Sequence, residues 1–218
     1  MSSSLPNRIR LESPLIGYPC GVRLAYHGTV VSERAFLGHI NVRGDPADAS
    51  LARSAALTIG VDLPSIPNTV HAAGDRAVCW LCPNEWLIIC AGDDEHRLAQ
   101  DLRENLRSCF SSVVELGGGQ TVLRLEGSEA GELLARGCPL DLHPRVFSPG
   151  HCAQTHVAKA PALLLALQSG IDVVVRRSFA DYLWLWLESI VRHERSGGIV
   201  DVAKGVTGRE VSNLGPTD

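Results

Sequence analysis

The twenty residues Gly137–His156, GCPLDLHPRVFSPGHCAQTH, hold two cysteines and three histidines, the residue types of zinc centres and of thiolate catalysis. Their spacing argues against both. Zinc centres draw ligands from tight knuckles, typically paired C-x-x-C units or one such unit with a spaced histidine pair. Here Pro139 and Pro144 stiffen the run and Pro149-Gly150 marks a turn. Alternation along the strand that follows sends His151 and His156 to opposite faces. A Cys138–His143 thiolate pair would have no evident third group to orient the imidazole. The segment reads as backbone architecture that joins a helix ending at Gly137 to a strand.

The other candidates fail on the same kind of test. Cys79-Trp80-Leu81-Cys82 has knuckle spacing, but it falls in an alternating strand pattern, where residues three apart diverge. A thioredoxin-like role would need a helix opening after the first thiol. Both cysteines read as small apolar fillers of a sheet. Gly117-Gly118-Gly119 lies between two strands with no helix behind it to hold a phosphate, so it reads as a turn or bulge. No G-x-S-x-G elbow and no P-loop is present.

The bulk properties narrow the class further. A net charge of −4 and scattered arginines argue against a general nucleic-acid binder. The greasiest run, PALLLALQSGIDVVV, is interrupted by Gln168, Ser169, Gly170 and Asp172, so a membrane span is not expected. The start, MSSSLPNRIRLESPL, lacks a secretory pattern. Seven cysteines, an odd number, in a chain long enough to fold without staples suggest free thiols and a cytoplasmic setting.

The elements that would position these residues follow from periodicity. Residues 1–34 read as an extended arm, 35–116 as a first lobe, 117–195 as a second, and 196–218 as a loose tail. The first lobe runs strand AFLGHINVRGD, a helix capped by Asp45 and closed at Gly60, two strands around Gly74-Asp75, strand EWLIIC, and an acid-started helix DDEHRLAQDLRENLRSCF. SSVVEL and TVLRLEG flank the triple glycine. Ser128 opens a short helix, three strands follow, and a last helix starts at Ser178, with Asp181 completing an S-x-x-D cap. This order predicts an α+β fold of two lobes with antiparallel sheets and helices packed on them.

The last helix, SFADYLWLWLESIVRH, is greasier than one buried stripe requires. Phe179, Tyr182, Leu183, Trp186 and Ile190 define one face, while Trp184 and Leu185 fall to either side of it. Aromatic side chains anchor protein interfaces because they bury large areas with few rotors. The arm, with Ile16, Tyr18 and Val22, has little core of its own. Ile16, Tyr18, Val22, Trp184 and Leu185 are therefore the expected partner interface.

The stretches NVRGDP (41–46), PNTV (67–70), CWLCPNEWLII (79–89), GQTVLRLEG (119–127), GCPLDLHPRVFSPGHCAQT (137–155) and VRRSFADYLWLWLE (175–188) resemble, in this order, the gamma subunit of heterotetrameric sarcosine oxidase. Cys79 and Cys82 depart from that family's pattern, which tends to alanine or leucine and to glycine there. The resemblance implies an aminomethyltransferase-like, folate-binding-domain fold and a structural subunit with no catalytic residue. It also implies a complex that oxidises the N-methyl group of sarcosine to give glycine, formaldehyde or methylene-tetrahydrofolate, and hydrogen peroxide. FAD, FMN, NAD, tetrahydrofolate and zinc would then belong to the partner alpha, beta and delta subunits. Related complexes acting on dimethylglycine or N-methylglutamate have similar small subunits.

The competing expectation is a free-standing folate-binding or aminomethyl-transferring protein. That activity needs an acidic residue in a deep pocket, for which Asp141, Glu115 and Asp172 are the candidates.

Overall fold

The computed structural model describes residues 11–18 and 23–197. The first regular elements are strands β1 (Leu24–Tyr26), β2 (Thr29–Arg34) and β3 (Leu37–Gly44), followed by helix α1 (Ala49–Ile59). Strands β4 (Val70–Ala73), β5 (Arg76–Cys82) and β6 (Glu85–Ala91) precede α2 (Glu95–Asn105), β7 (Ser111–Glu115), β8 (Gln120–Glu126) and the short α3 (Ala130–Ala135). β9 (Cys152–Val157), β10 (Ala160–Leu167) and β11 (Gly170–Arg176) lead into α4 (Arg177–Gly197). The strands form two antiparallel sheets, a six-stranded one ordered β1-β2-β8-β11-β10-β9 and a five-stranded one ordered β4-β5-β6-β3-β7. The fold is the α+β class that the pattern of elements predicts.

The layers explain the greasy strands. In β6, Trp86, Ile88 and Cys90 face α1 and α2, while Leu87 and Ile89 face the other sheet. In β10, Leu164 turns to the helix-covered side, and Leu163 and Leu165 turn to the seam between the sheets. A strand buried on both faces reads as a continuous apolar run, which is why LLLAL does not alternate. Two helices thus cover the outside of each sheet, and the inner faces meet along a third apolar cluster. Among the described residues, no helix is long and apolar enough to cross a membrane.

One expectation is corrected here. Residues 24–34 are not an arm: β1 and β2 form a hairpin on the edge of the six-stranded sheet, with β2 paired to β8. Three- and six-residue strands broken by His27-Gly28 carry too little alternation to be seen in sequence. The glycine-rich tail from 198 onwards, like residues 1–10, lies outside the described residues.

Helix caps differ as well. Asp48, not Asp45, caps α1, its carboxylate accepting the N–H groups of Ser50 (2.8 Å) and Leu51 (3.2 Å). Asp45 is spent one turn earlier, accepting from Ala47 N–H at 2.9 Å. Gly60 closes the helix in the left-handed region at φ 78°, as the sequence predicts. Asp48→Ala should therefore cost about 1 kcal/mol in urea unfolding, while Asp45→Ala should cost clearly less. Ser128 does not cap α3; its hydroxyl donates to Glu129. α4 starts directly from β11 at Arg177, and Asp181 accepts the Tyr18 hydroxyl at 2.7 Å.

Candidate partner interface

α4 lies across the six-stranded sheet with Ala180, Leu183, Trp184, Leu187 and Val191 in the core cluster of that sheet. Trp184 is fully buried. The expectation that it meets a partner chain is thus corrected: its ring is covered by the chain's own arm. Tyr18 stacks on it at a centroid distance of 5.8 Å and an interplanar angle of 56°, and Leu15 is buried beside it. The wide greasy arc of α4 arises because the helix is covered on two sides, by the sheet and by the arm. Intramolecular cover of this kind leaves no periodic trace in the helix sequence. The Trp184 Nε1–H has no hydrogen-bond partner, so this burial carries a desolvation cost.

The arm is pinned by several polar contacts. The Ser13 hydroxyl bonds Glu33, the Arg177 guanidinium donates to the Glu12 carbonyl at 2.5 Å, and Tyr18 donates to Asp181. Burial and the Asp181 carboxylate push the Tyr18 hydroxyl pKa up to about 12. Ile16 (59% exposed), Tyr182 (38%) and Leu185 (47%) stay apolar and open, as does Leu11 at the start of the described arm. Leu185 sits about one helical turn beyond the Asp181–Tyr18 contact. Val22 lies outside the described residues. Phe110, 97% exposed at the start of edge strand β7, is a further open aromatic that periodicity did not single out.

The residues singled out for chemistry are dispersed. His143 Nδ1 accepts from Arg145 N–H at 3.2 Å, His151 bonds within the Ser148 turn, and His156 is exposed on β9. The Cys138 thiol contacts Thr155, not His143. Cys79 is buried in the seam, whereas Cys82 points to Asn84 and Glu85. Among the described residues, no group of three or more His, Cys, Asp or Glu side chains is arranged to hold a metal. Gly117, the first of the three glycines, lies against the Glu95 carboxylate, which also accepts His39 N–H at 3.1 Å; a Cβ on Gly117 would lie 2.1 Å from Glu95 Oε2. Burial holds the Glu95 pKa above the ordinary carboxylate value.

The three candidate acids are all engaged. Glu115 pairs with His96 and Arg103, which lower its pKa. Asp141 is exposed on the rim of a surface cavity of about 840 Å³ and accepts His143 N–H. Asp172 is buried and clamped by Arg124 in a bidentate pair (2.5 and 2.7 Å) and by Arg34 (3.1 Å). None offers a free carboxylate in an enclosed pocket, so these residues do not fit the folate-directed role. The clamp itself was missed as a unit. Its signal was a charge inside each of two apolar runs, Arg124 in TVLRLEG and Asp172 in IDVVV, which the register β8–β11 sets directly opposite.

Comparison with known proteins adds findings of three kinds. A model described as "Sarcosine oxidase, gamma subunit family" matches residues 43–192. The sarcosine oxidase subunit gamma of Corynebacterium sp. (strain U-96) is 35% identical over 71% of this chain and 75% of its own length, and that of Arthrobacter sp. is 34% identical over 72% and 77%. A chain of the heterotetrameric sarcosine oxidase from Corynebacterium sp. U-96, solved in complex with pyrrole 2-carboxylate, superposes with a TM-score of 0.75 at 27% identity, covering 84% of this chain and 95% of that one. The glycine cleavage system aminomethyltransferase T from Bartonella henselae shares the fold at TM-score 0.53 and 12% identity, over 71% of this chain and 44% of that one. With a family match over most of the described body and relatives at this identity, the chain belongs to the sarcosine oxidase gamma subunit family.

Proposed function

We propose that this chain is a non-catalytic gamma subunit that stabilises a sarcosine oxidase-type heterotetramer by supplying contact surface. The reaction of that assembly would be oxidative N-demethylation of sarcosine to glycine. FAD, FMN, NAD, tetrahydrofolate and zinc would be held by the alpha, beta and delta partners. The observation that carries the reading is the superposition on nearly a whole chain of a heterotetrameric sarcosine oxidase. The open apolar residues Ile16, Tyr182 and Leu185 supply the anchor positions on and beside the pinned arm. A permanent interface of this kind should bury more than ~2,000 Å² in total.

The test is co-expression with alpha, beta and delta homologues followed by size-exclusion chromatography and a sarcosine oxidation assay. The chain should co-elute with its partners and show no turnover alone. Persistent elution as a monomer beside folded partners, or turnover by the isolated chain, would overturn the reading. Ile16→Glu and Leu185→Glu should each weaken assembly about tenfold or more while leaving the Tm of the free chain nearly unchanged. Assaying the assembly with sarcosine, dimethylglycine and N-methylglutamate identifies the amine.

A further inference from the structure

We infer that the cleft carrying Asp141 on its rim is a second docking site, which takes an arginine-bearing segment of a partner chain. The inference rests on the reading of this chain as a subunit, and it gives a role to the loop after Gly137. The cleft, about 840 Å³, lies between α3, residues 139–149 and the β10–β11 turn. Its floor is apolar, formed by Leu140, Phe147, Leu167 and Ile171.

The walls are fixed, so the cleft is formed before anything enters it. Gly127 N–H donates to the Ser169 carbonyl at 3.2 Å, which ties the approach to α3 to the β10–β11 turn. Gly131 on α3 sits so close to the loop that a Cβ there would lie 2.9 Å from the Leu142 carbonyl oxygen. Within the loop, Asp141 accepts His143 N–H at 2.9 Å. The N–H groups of Val146 and Phe147 both donate to the His143 carbonyl, at 2.8 and 2.9 Å. A preformed site loses little ordering entropy when it binds.

Charge selects the occupant. Glu129, Glu132 and Asp141 line the cleft, and no lysine or arginine does. Among the described residues, none of the three carboxylates has an ion-pair partner. Arg136 donates instead to the Tyr26 hydroxyl at 3.0 Å, and Arg145 stands outside the cleft lining. An arginine suits an apolar floor with a carboxylate rim: its alkyl stem and flat guanidinium face pack on hydrocarbon while its edge donates to the acids. The apolar surface also continues past the acids to Val146, 56% exposed in the same turn, and to Pro144. A small cation would leave that surface bare, whereas a chain segment covers it. Ile16 lines a different depression with Gly118, Gly119 and Arg177, at the opposite ends of β8 and β11 from Gly127 and Gly170. The two contact regions are therefore separable by mutation.

The test measures assembly of the full chain with alpha, beta and delta homologues at about 0.05 M and about 0.3 M sodium chloride. Wild type is compared with Glu132→Lys/Asp141→Lys; both positions are exposed, so the free chain should keep its Tm. A control of equal charge change, Asp101→Lys/Glu104→Lys, sits on α2 and outside the cleft lining. The cleft pair should weaken assembly about tenfold or more at low salt and flatten its salt dependence, with a smaller loss for the α2 pair. Amide hydrogen exchange across residues 139–149 should slow when the wild type assembles. Wild-type affinity in the cleft variant would overturn the inference, as would equal losses from the two pairs, or exchange in the loop that assembly leaves unchanged. The exchange measurement needs no variant and decides the matter even if the cleft pair fails to fold. Failure of the wild type itself to assemble would sink the subunit reading, and this inference with it.

Discussion

Asp172→Ala is expected to destabilise the protein by about 3–5 kcal/mol, measured by urea unfolding at pH 7. The Asp172 side chain is 4% exposed and the Arg124 side chain 19%, while that of Arg34 is 34% exposed. The carboxylate accepts three charge-assisted bonds on the seam-facing side of the six-stranded sheet, with β11 in the middle of the strand order. Asp172 raises the Arg124 pKa in the wild type, and without it the guanidinium still stays charged because an arginine is protonated far above neutral pH on its own. The cost then comes from leaving a largely covered Arg124 without its main counter-charge and a second arginine beside it, more than from losing the pair's own attraction. Arg34 can turn to water, whereas Arg124, less exposed and on an interior strand, keeps among the described residues only the Glu126 carboxylate at 3.9 Å. This makes a sharp control. The double change Arg124→Met with Asp172→Leu, which removes both charges and keeps the volume apolar, should recover most of the loss. If the double variant is as unstable as Asp172→Ala alone, the stranded-charge account is wrong and packing around position 172 is responsible.

How much of this was visible in the sequence depends on the range of the interactions. Elements from β3 to α4 were legible because each carries its own period or its own turn signal, as in Gly74-Asp75 between β4 and β5. The β1–β2 hairpin was not, since its short strands gain their order from pairing with β8, nearly a hundred residues further on. Trp184 shows the same limit at the level of one side chain. Its helical phase places it at the edge of the buried stripe, and Tyr18, contributed by the arm, packs on it. The candidate interface is in part what is left over after such intramolecular cover is subtracted. Ile16 and Leu185 were therefore legible as greasy positions, while the role of Trp184 was not. Contacts across the seam, including Gln154 to Leu81 and Cys152 to Trp80, join segments whose proximity depends on how two sheets stack. No local pattern encodes that.

His39→Leu should flatten the acid side of the stability profile. His39 sits on β3 with its side chain fully buried, and neither ring nitrogen has a well-formed hydrogen bond, the Leu37 carbonyl offering only a marginal contact. Burial pushes its pKa down from 6.5 to about 4, so the folded ring is neutral where the unfolded one is charged. The sign follows from proton counting. Between pH 6.5 and about 4 the unfolded chain binds more protons at this site than the folded one, so stability falls as pH falls through that window. Below about 4 the folded ring is protonated as well and the penalty levels off, at about 3 kcal/mol for a displacement of this size. Wild-type protein should lose about 2 kcal/mol from this residue between pH 7 and pH 4.5. Carboxylates held low by their partners, such as Glu85, Asp94 and Glu115, also lose stability in acid, but they do so in both proteins and cancel in the comparison. The difference between wild type and His39→Leu, followed by urea unfolding at the two pH values, therefore isolates the histidine. At pH 7 the leucine variant should be at least as stable as the wild type, because two buried polar nitrogens are exchanged for methyl groups that suit the seam. An equal acid loss in the two proteins would show that the ring finds a proton acceptor or water when it charges, and that its burial is not what sets the acid limb.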